Sequence, residues 1–279
     1  MKKVTGYLKL LRPKNAVMSA IGSTIGWLAG GRSDLVHYLI VALVPPLVLM
    51  GGNAINDFFD FEIDAINKPY RPIPQGIISR KEAFMSYVLL SFVAVTISLP
   101  LGWIPFIIAL SFAIIWYFYA RTLKAKGLIG NVIVSTGVGF TIIFGHISAS
   151  GGISLLPITL ALIAFTANLA REIIKTVEDL PGDKKAGLST VPIKFGIRKT
   201  RTLTKGLVAL TCLLAFIPFF LRLMNLIYLV FSIISVLMLI YVLLQTNHLS
   251  PEIAGSLSKL LKIAMALGLL GMLLDLMFR

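Results

Sequence analysis

Long apolar runs separated by short polar segments are the dominant pattern along this chain. Nine runs hold roughly 17–25 mainly apolar residues each, the length that an α-helix needs to cross the hydrocarbon core of a bilayer. They cover residues 15–31, 36–56, 83–100, 102–120, 129–148, 153–173, 203–221, 223–245 and 258–277. Breaks as short as "LPLGW" and "FLRLMN" predict tight turns between neighbouring helices. We therefore predict an all-α polytopic membrane protein of about nine transmembrane helices.

Composition excludes a soluble domain. Hydrophobic residues make up 57% of the 279 positions and charged residues 14%, whereas soluble domains have roughly 45–50% and 25%. The net charge of +14 does not predict a nucleic-acid partner, because basic residues that flank spans meet anionic headgroups. Cys212 lies in an apolar run, which predicts a small buried hydrophobe and no disulfide. His37, His146 and His248 lack zinc-site spacing.

Basic residues are divided unequally between the two sides of the predicted bundle. If the N-terminus lies inside the cell, 23 of the 26 lysines and arginines fall on cytoplasmic segments or helix ends, and only Arg32, Arg222 and Arg279 fall outside. The positive-inside rule then predicts a cytoplasmic N-terminus and an odd number of spans. Residues 7–14 interleave basic and apolar side chains, which predicts a short amphipathic helix at the membrane interface.

Acidic residues form two clusters at predicted cytoplasmic ends of spans. Of twelve acids, four lie in residues 57–64 and four in residues 172–183. Carboxylates one helical turn apart repel each other, so each cluster predicts a bound cation. The acids are too sparse for a Ca²⁺ cage but suit Mg²⁺, which keeps waters and completes its shell with substrate phosphates. The candidate site residues of the two clusters are Asn53, Asn56, Asp57, Asp60, Asp64, Arg171, Glu172, Lys175, Asp179 and Asp183.

The two clusters also suggest an internal repeat. Five positions of the first cluster have counterparts in the second at a constant offset of 115 residues, and a Pro-containing loop follows each. Repeated units that face a shared site are common in membrane proteins. The sequence thus predicts two helical halves, each with one Asp-rich motif.

Basic and aromatic residues near the acids complete a candidate diphosphate site. Arg71 follows the first cluster in "KPYRPIPQG", Lys124 ends the fourth run, and Lys175 lies within the second cluster. Arginine forks and lysine point charges are common partners of phosphate oxygens. Tyr117 precedes Lys124 by one heptad and is predicted to face the same side. Taken singly, each of these residues is equally an interfacial anchor.

Together, "NAINDFFDFEIDAINKPYRPIPQG" and "REIIKTVEDLPGDKKAGLSTVPIKFG" resemble the UbiA superfamily of intramembrane prenyltransferases. The likeness extends over nearly the whole chain, which implies a single prenyltransferase domain over residues 1–279 with helices around a central cavity. The family's first motif matches Asn56, Asp60 and Asp64, and its second matches Asp179 and Asp183. The family's tyrosine and lysine resemble Tyr117 and Lys124, and its Arg-Pro is Arg71-Pro72.

The resemblance implies a mechanism and a set of roles. Mg²⁺ on both motifs binds an isoprenyl diphosphate, and the allyl cation that remains lies against Tyr117 and Asn56. The implied metal ligands are Asn56, Asp60, Asp64, Asp179 and Asp183, with Asp57 and Glu172 as further candidates. The implied catalytic residues are Asn56, Asp60, Asp64, Tyr117, Lys124, Asp179 and Asp183. Those implied to bind substrate are Asn53, Arg71, Lys124, Arg171 and Lys175.

The motifs identify the prenyl acceptor less precisely than they identify the site. Both motifs most resemble members that transfer a geranylgeranyl group from geranylgeranyl diphosphate to the hydroxyl of geranylgeranylglyceryl phosphate, in archaeal ether-lipid synthesis. The multi-pass protein is then expected in the cell membrane, with its active site on the cytoplasmic side. An aromatic or quinone-precursor acceptor is the alternative. A secondary transporter is the alternative outside enzymes. Transporters commonly have acidic residues near the midplane of the membrane, whereas the acidic clusters here lie at predicted cytoplasmic ends of spans.

Overall fold

The computed structural model describes residues 2–279, and every regular element within that range is helical. The helices are α1 (Lys2–Leu11), α2 (Pro13–Ala29), α3 (Leu35–Phe59), α4 (Phe61–Asn67), α5 (Arg80–Ser98), α6 (Trp103–Phe118), α7 (Leu128–Ser150), α8 (Leu155–Glu178), α9 (Leu180–Lys185), α10 (Val191–Leu214), α11 (Ile217–Phe220), α12 (Leu226–Gln245) and α13 (Pro251–Met277). A π-helical turn, Tyr119–Leu123, follows α6. The all-α membrane fold predicted from the sequence is confirmed.

Eight helices in residues 2–279 are long and apolar enough to cross a membrane. They are α3, α5, α6, α7, α8, α10, α12 and α13, several extended by the short turns that follow them. The remaining predicted span, residues 15–31, corresponds to α2, whose 17 residues lie at the short end of the range for a spanning helix. The count of nine and the cytoplasmic N-terminus stay predictions.

Several helix starts differ from those predicted by the apolar runs; α13, for example, begins at Pro251 and not at residue 258. Two of the differences lie at backbone irregularities. The seventh run begins at residue 203, yet α10 begins at Val191 and bends at Gly196, which has φ 75°. Pro192 suits the first turn of a helix, where its missing N–H has no partner to lose, so the charged segment that follows is helical instead of a loop. The eighth run begins at residue 223, but Arg222 has φ 55° and turns the chain, so α12 starts at Leu226.

The long helices form a closed bundle around one cavity. Helix α2 packs against α3, α7 and α13, whereas α8 packs against α7, α10 and α13. Helices α5 and α6 cover α3, and α12 fills the position between α10 and α13. The cavity has a volume of about 400 Å³, with walls from α2, α3, α6, α7, α8, α10, α12 and α13. Its inner wall is mostly apolar, and its charged side chains gather near the end of the bundle where α3 and α8 finish.

Glycines let α2 and α7 approach closely enough for their backbones to touch. A Cβ added to Gly26 would lie 2.0 Å from the carbonyl oxygen of Ile142, and one added to Gly145 would lie 2.0 Å from that of Ser23. Small residues at helix–helix crossings are a common packing device inside membranes, where burial of apolar surface gives no drive for association. This crossing holds α2, and the polar residues at its start, against the rest of the bundle.

We expect Gly26→Ala to lower the apparent Tm of the detergent-purified protein by roughly 5 °C or more, because the added methyl group overpacks a backbone contact. Gly206→Ala is the matched control, since Gly206 lies in α10 with no atom within 4 Å of an added Cβ. Alanine there should be neutral or slightly stabilising. Equal melting temperatures for the two variants would show that the α2–α7 contact does not limit stability.

Candidate active site

The first half-site is built where α3 stops and α4 starts. Asp60 occupies the break with φ −80° and ψ 3°. Its backbone N–H donates to the carbonyl oxygen of Asn56 at 2.9 Å, and the backbone N–H of Asp64 donates to the carbonyl oxygen of Asp60 at 2.7 Å. The Asn56 side-chain Nδ2 donates to Asp60 Oδ2 at 2.7 Å. The break therefore keeps Asn56, Asp60 and Asp64 one turn apart, and all three line the cavity.

The second half-site repeats this geometry at the junction of α8 and α9. Asp179 occupies the break with φ −82° and ψ −1°. The backbone N–H of Asp183 donates to the carbonyl oxygen of Asp179 at 3.0 Å. Pro181 falls in the first turn of α9, where proline is tolerated. Asp60 and Asp64 thus correspond to Asp179 and Asp183 at an offset of 119 residues, not at the predicted 115. The wider division of the chain into two helical halves stays a prediction.

Basic side chains join the two half-sites. Lys68, one turn beyond Asp64, reaches across to Asp179, with Nζ 3.1 Å from Oδ1. Lys124 pairs with Asp60, and Arg71 pairs with Asp64. The motifs are therefore within a lysine's length of each other, and the three cations occupy the space between and around the carboxylates.

Asp57 does not line the cavity. Its side chain is buried, at 2% exposure for the residue, and accepts from Arg71 Nη1 at 3.0 Å and from Arg12. Arg12 also donates to Asn53 Oδ1 at 2.8 Å, and Asn53 Nδ2 donates to the carbonyl of Leu11 at 3.2 Å. Asp57 thus orients two arginines and ties the junction of α1 and α2 to α3, so it supports the site instead of facing a ligand.

Glu172 faces the cavity among basic residues. Its carboxylate accepts from Arg171 Nη1 at 2.8 Å and from Lys175 Nζ at 3.1 Å. The three residues lie on the last turns of α8, one to two turns before Asp179. The wall of the cavity thus includes all predicted site residues except two, and those that line it are Asn53, Asn56, Asp60, Asp64, Arg71, Lys124, Arg171, Glu172, Lys175, Asp179 and Asp183.

Tyr117 is the second predicted site residue that does not line the cavity. Its ring packs 5.7 Å from that of Phe59 and 6.3 Å from that of Tyr87. Tyr119 lines the cavity instead and packs its ring 5.5 Å from Trp116. The cause is the π-helical turn Tyr119–Leu123, in which the Lys124 N–H donates to the Tyr119 carbonyl. An α-helix aligns residues seven apart, whereas a π-turn aligns residues five apart, so Tyr119 replaces Tyr117 beside Lys124.

The sequence analysis missed several residues of the cavity wall, among them Arg12, Lys68, Tyr119 and Lys262. Two of them carried a signal. Lys262 is a charged residue inside an apolar run, which by itself marks a functional position in a membrane protein. Lys68 falls one helical turn after Asp64. Arg12 and Tyr119 owe their positions to an αL residue (φ 53°) and a π-turn, which the sequence pattern does not show.

The comparisons with known proteins identify the family. The model of the UbiA prenyltransferase family matches residues 16–263. The chain belongs to this family. It is 46% identical over 278 residues to a digeranylgeranylglyceryl phosphate synthase from Korarchaeum cryptofilum, an alignment that covers 99% of this chain and 98% of that protein. Membership of the UbiA prenyltransferase family confirms the predicted enzyme class over the transporter alternative.

Two solved structures resemble this UbiA-family chain over most of its length. One, described as giving structural and mechanistic insights into digeranylgeranylglyceryl phosphate synthase in membranes, superposes with a TM-score of 0.79 at 34% identity and covers 100% of both chains. Another is a UbiA homolog from Archaeoglobus fulgidus bound to GPP and Mg²⁺, with a TM-score of 0.72, 22% identity, and coverage of 96% of this chain and 99% of that one. At 22% identity, the likeness to the Archaeoglobus fulgidus structure shows a shared fold and nothing more.

The side chains of the two half-sites fit a hard divalent cation held jointly by protein and substrate. Their donors are carboxylate and amide oxygens, the ligands that Mg²⁺ prefers. Among the described residues, no three histidine, cysteine, aspartate or glutamate side chains are grouped closely enough to hold an ion alone. Mg²⁺ commonly uses one or two carboxylates and takes its remaining ligands from water and phosphate. Lys68, Arg71 and Lys124 neutralise three of the carboxylates in this structure. A bound metal would neutralise the same carboxylates, and its diphosphate would then be free to pair with the three cations.

The pKa values of the half-site residues agree with a bound cation, most clearly that of Asp183, which has no ion-pair partner among the described residues. Asp183 is 8% exposed, and burial together with the charge of Asp179 raises its pKa to about 6, against the opposing effect of Lys124 and Lys68. Burial likewise raises the pKa of Asp64 despite the Arg71 partner. In Arg71, burial is outweighed by Asp57 and Asp64, so the pKa of the guanidinium is raised. The half-sites therefore hold more negative charge than their own cations neutralise.

We expect Asp183→Asn to stabilise the metal-free protein. The pKa of Asp183 in the folded chain lies above its ordinary value, so its ionisation costs stability as the pH rises through about 6, on the order of 1–3 kcal/mol. In EDTA near pH 7.5 the variant should melt at a higher temperature than the wild type, and the difference should shrink near pH 5. Glu62→Gln, an exposed change in α4, is the control.

Mg²⁺ with diphosphate should then raise the Tm of the wild type and leave that of Asp183→Asn almost unchanged, because binding to the folded state stabilises it. A variant that melts lower than the wild type in EDTA at every pH would contradict the electrostatic argument.

Proposed function

We propose that this UbiA-family chain transfers a geranylgeranyl group from geranylgeranyl diphosphate to the hydroxyl of geranylgeranylglyceryl phosphate and releases diphosphate. The observation that carries the proposal is one cavity that joins two Asp-containing half-sites to a deep apolar wall. Such a cavity suits a substrate with a charged head and a long hydrocarbon tail. The acceptor is proposed from the 46% identity, over nearly the full length, to a digeranylgeranylglyceryl phosphate synthase.

The diphosphate of the donor binds at the polar end of the cavity in this proposal. Asn56, Asp60, Asp64, Asp179 and Asp183 are the side chains that would hold Mg²⁺. The metal supplies Lewis-acid stabilisation of the negative charge that develops on the diphosphate. Arg71, Lys68 and Lys124 exchange their carboxylate partners for phosphate oxygens, and Arg71 keeps its orientation through the 3.0 Å contact with Asp57.

Transfer then breaks the bond between the allylic carbon and the diphosphate oxygen, and the electron pair leaves on the diphosphate. Lys124 and Arg71 stabilise that charge in a site from which the apolar walls exclude water. The aromatic faces of Tyr119 and Trp116, which line the same cavity, stabilise the positive allyl group. The acceptor hydroxyl oxygen forms the new ether bond, and its proton passes to a cavity carboxylate or to the released diphosphate.

Location in the membrane follows from the substrates. The prenyl tail and the diether product are both membrane-soluble, so a site at the end of a transmembrane bundle takes the head group from water and leaves the tail among helices and lipid. By the positive-inside rule, the end that carries the half-sites faces the cytoplasm. We therefore place the protein in the cell membrane with its active site on the cytoplasmic side.

A transfer assay tests the proposed reaction. Detergent-purified protein receives radiolabelled geranylgeranyl diphosphate with geranylgeranylglyceryl phosphate and 4-hydroxybenzoate, in Mg²⁺ or in EDTA. We expect label in the glycerol lipid, only with metal, and a loss of roughly a hundredfold or more in Asp60→Ala but not in the exposed control Glu62→Ala. Label in the aromatic acid alone would assign a quinone-type acceptor. No transfer by folded protein would refute the proposal.

The two tyrosines give a second prediction. Tyr119→Leu should lower kcat by about tenfold, because one aromatic face is lost beside the developing cation. Tyr117→Leu should leave kcat close to the wild-type value, since that ring packs against Phe59 and Tyr87 outside the cavity. Measurement of both variants at saturating substrate decides between the two positions. The reverse order of effects would restore Tyr117 to the site.

A further inference from the structure

The cations in the cavity wall differ in their pairing. Three of them pair with aspartates of the two half-sites, whereas a second group, from α8 and α13, has fewer acidic partners. This second group is defined by Arg171, Lys175 and Lys262, and Glu172 is the one carboxylate paired with it among the described residues. The group therefore carries excess positive charge, in contrast to the half-sites.

Lys262 brings α13 to this group. Its Nζ donates to Asn15 Oδ1 of α2 at 2.7 Å, and no carboxylate pairs with it in the described part of the chain. Lys262 is also within electrostatic range of the like charges of Arg171, Lys175 and Lys14. Partly buried cations that repel one another are costly unless an anion pairs with them.

Two polar atoms in the same wall have no partner in the protein. The Oγ of Ser19, in a residue that is 7% exposed, and the Nε of Arg171 are both buried without a hydrogen bond. Ser19 follows Asn15 by one turn of α2, and both line the cavity. Buried polar groups in folded proteins are almost always satisfied, so these two atoms leave unused hydrogen-bonding capacity in the wall beside the cations. A guanidinium, two ammonium groups and a hydroxyl are a donor set for phosphate.

These cations differ from ordinary interfacial anchors. Lys259 is one turn earlier on α13, is exposed, and does not line the cavity. Lys184 and Lys185 next to the second half-site are exposed in the same way. Lys262, Arg171 and Lys175 instead line the cavity.

We infer that Arg171, Lys175, Lys262, Asn15 and Ser19 form a second anion subsite that binds the phosphomonoester of the acceptor lipid. The inference rests on the proposed function and adds to it the place of the acceptor head group. The donor diphosphate occupies the metal-binding half-sites, and the acceptor phosphate neutralises the surplus cations of α8 and α13. With its phosphate fixed there, the acceptor holds its glycerol hydroxyl in the same cavity as the allylic carbon.

A cycle of two acceptors and four proteins tests the subsite. Geranylgeranylglyceryl phosphate and geranylgeranylglycerol, which lacks the phosphate, are compared as acceptors with geranylgeranyl diphosphate as donor. The proteins are the wild type, Lys262→Gln, Lys262→Arg and Lys259→Gln. Glutamine can keep the hydrogen bond to Asn15 but removes the charge, arginine keeps the charge, and Lys259→Gln removes an exposed charge from the same helix.

The measured quantity is kcat/KM for geranylgeranylglyceryl phosphate divided by kcat/KM for geranylgeranylglycerol. We expect Lys262→Gln to lower this ratio by about tenfold or more, through a higher KM for the phosphorylated acceptor. KM for geranylgeranyl diphosphate should be unchanged, which also shows that the variant is folded. Lys262→Arg and Lys259→Gln should both keep the wild-type ratio.

An equal loss with both acceptors, or a rise in KM for the donor instead, would overturn the subsite and leave the proposed function in place. If the wild type alkylates neither acceptor, the proposed function and the subsite fail together.

Discussion

Charge compensation within an apolar bundle is the constraint on which the rest of this structure depends. Several aspartates lie in or beside the cavity with little exposure to water, and an unpaired buried carboxylate costs several kcal/mol. The chain meets that cost locally: Asp60 pairs with Lys124, Asp64 with Arg71, and Asp179 with Lys68. Asp57 pairs with two arginines and thereby fixes the start of α2. The same pairs that stabilise the folded chain hold the site ready for a ligand that carries both metal and phosphate.

The site owes its geometry to places where the helices depart from regular α-helix. Asp60 and Asp179 sit at breaks with nearly identical backbone angles, so each half-site presents two aspartates one turn apart at the end of a long helix. The π-turn after α6 aligns Tyr119 with Lys124. At both breaks the aspartates keep backbone bonds to the fourth preceding residue, whereas in the π-turn the Lys124 N–H donates to the fifth preceding residue, Tyr119. Local irregularity at these positions therefore places chemistry, while the long regular helices place the cavity.

Close packing on one side of the bundle and open space on the other follow from side-chain size. The glycines of α2 and α7 allow backbone contact, which brings Arg12, Asn15 and Ser19 to the cavity wall. Larger residues such as Trp116 and Tyr228 border the cavity itself. The cavity wall then holds aspartates that outnumber their paired cations and a group of cations on α8 and α13 with one carboxylate partner among the described residues. This is the basis on which a diphosphate with its metal and a phosphomonoester are proposed as ligands.

By itself the sequence determined the membrane class, the helical fold, and most of the residues that line the site. Hydrophobic run length is a local property, and the Asp-x-x-x-Asp motifs keep their spacing along the helices they occupy, so both could be found without the fold. Only the tertiary structure decided that Asp57 braces two arginines instead of facing a ligand, that Tyr119 and not Tyr117 lines the cavity, and that Lys68 crosses to Asp179. Lys262 and Asn15 are 247 residues apart, and their contact depends on the packing of α13 against α2. A helical repeat fixes which residues share a face, but the direction of that face depends on helix breaks and on neighbours distant in the chain.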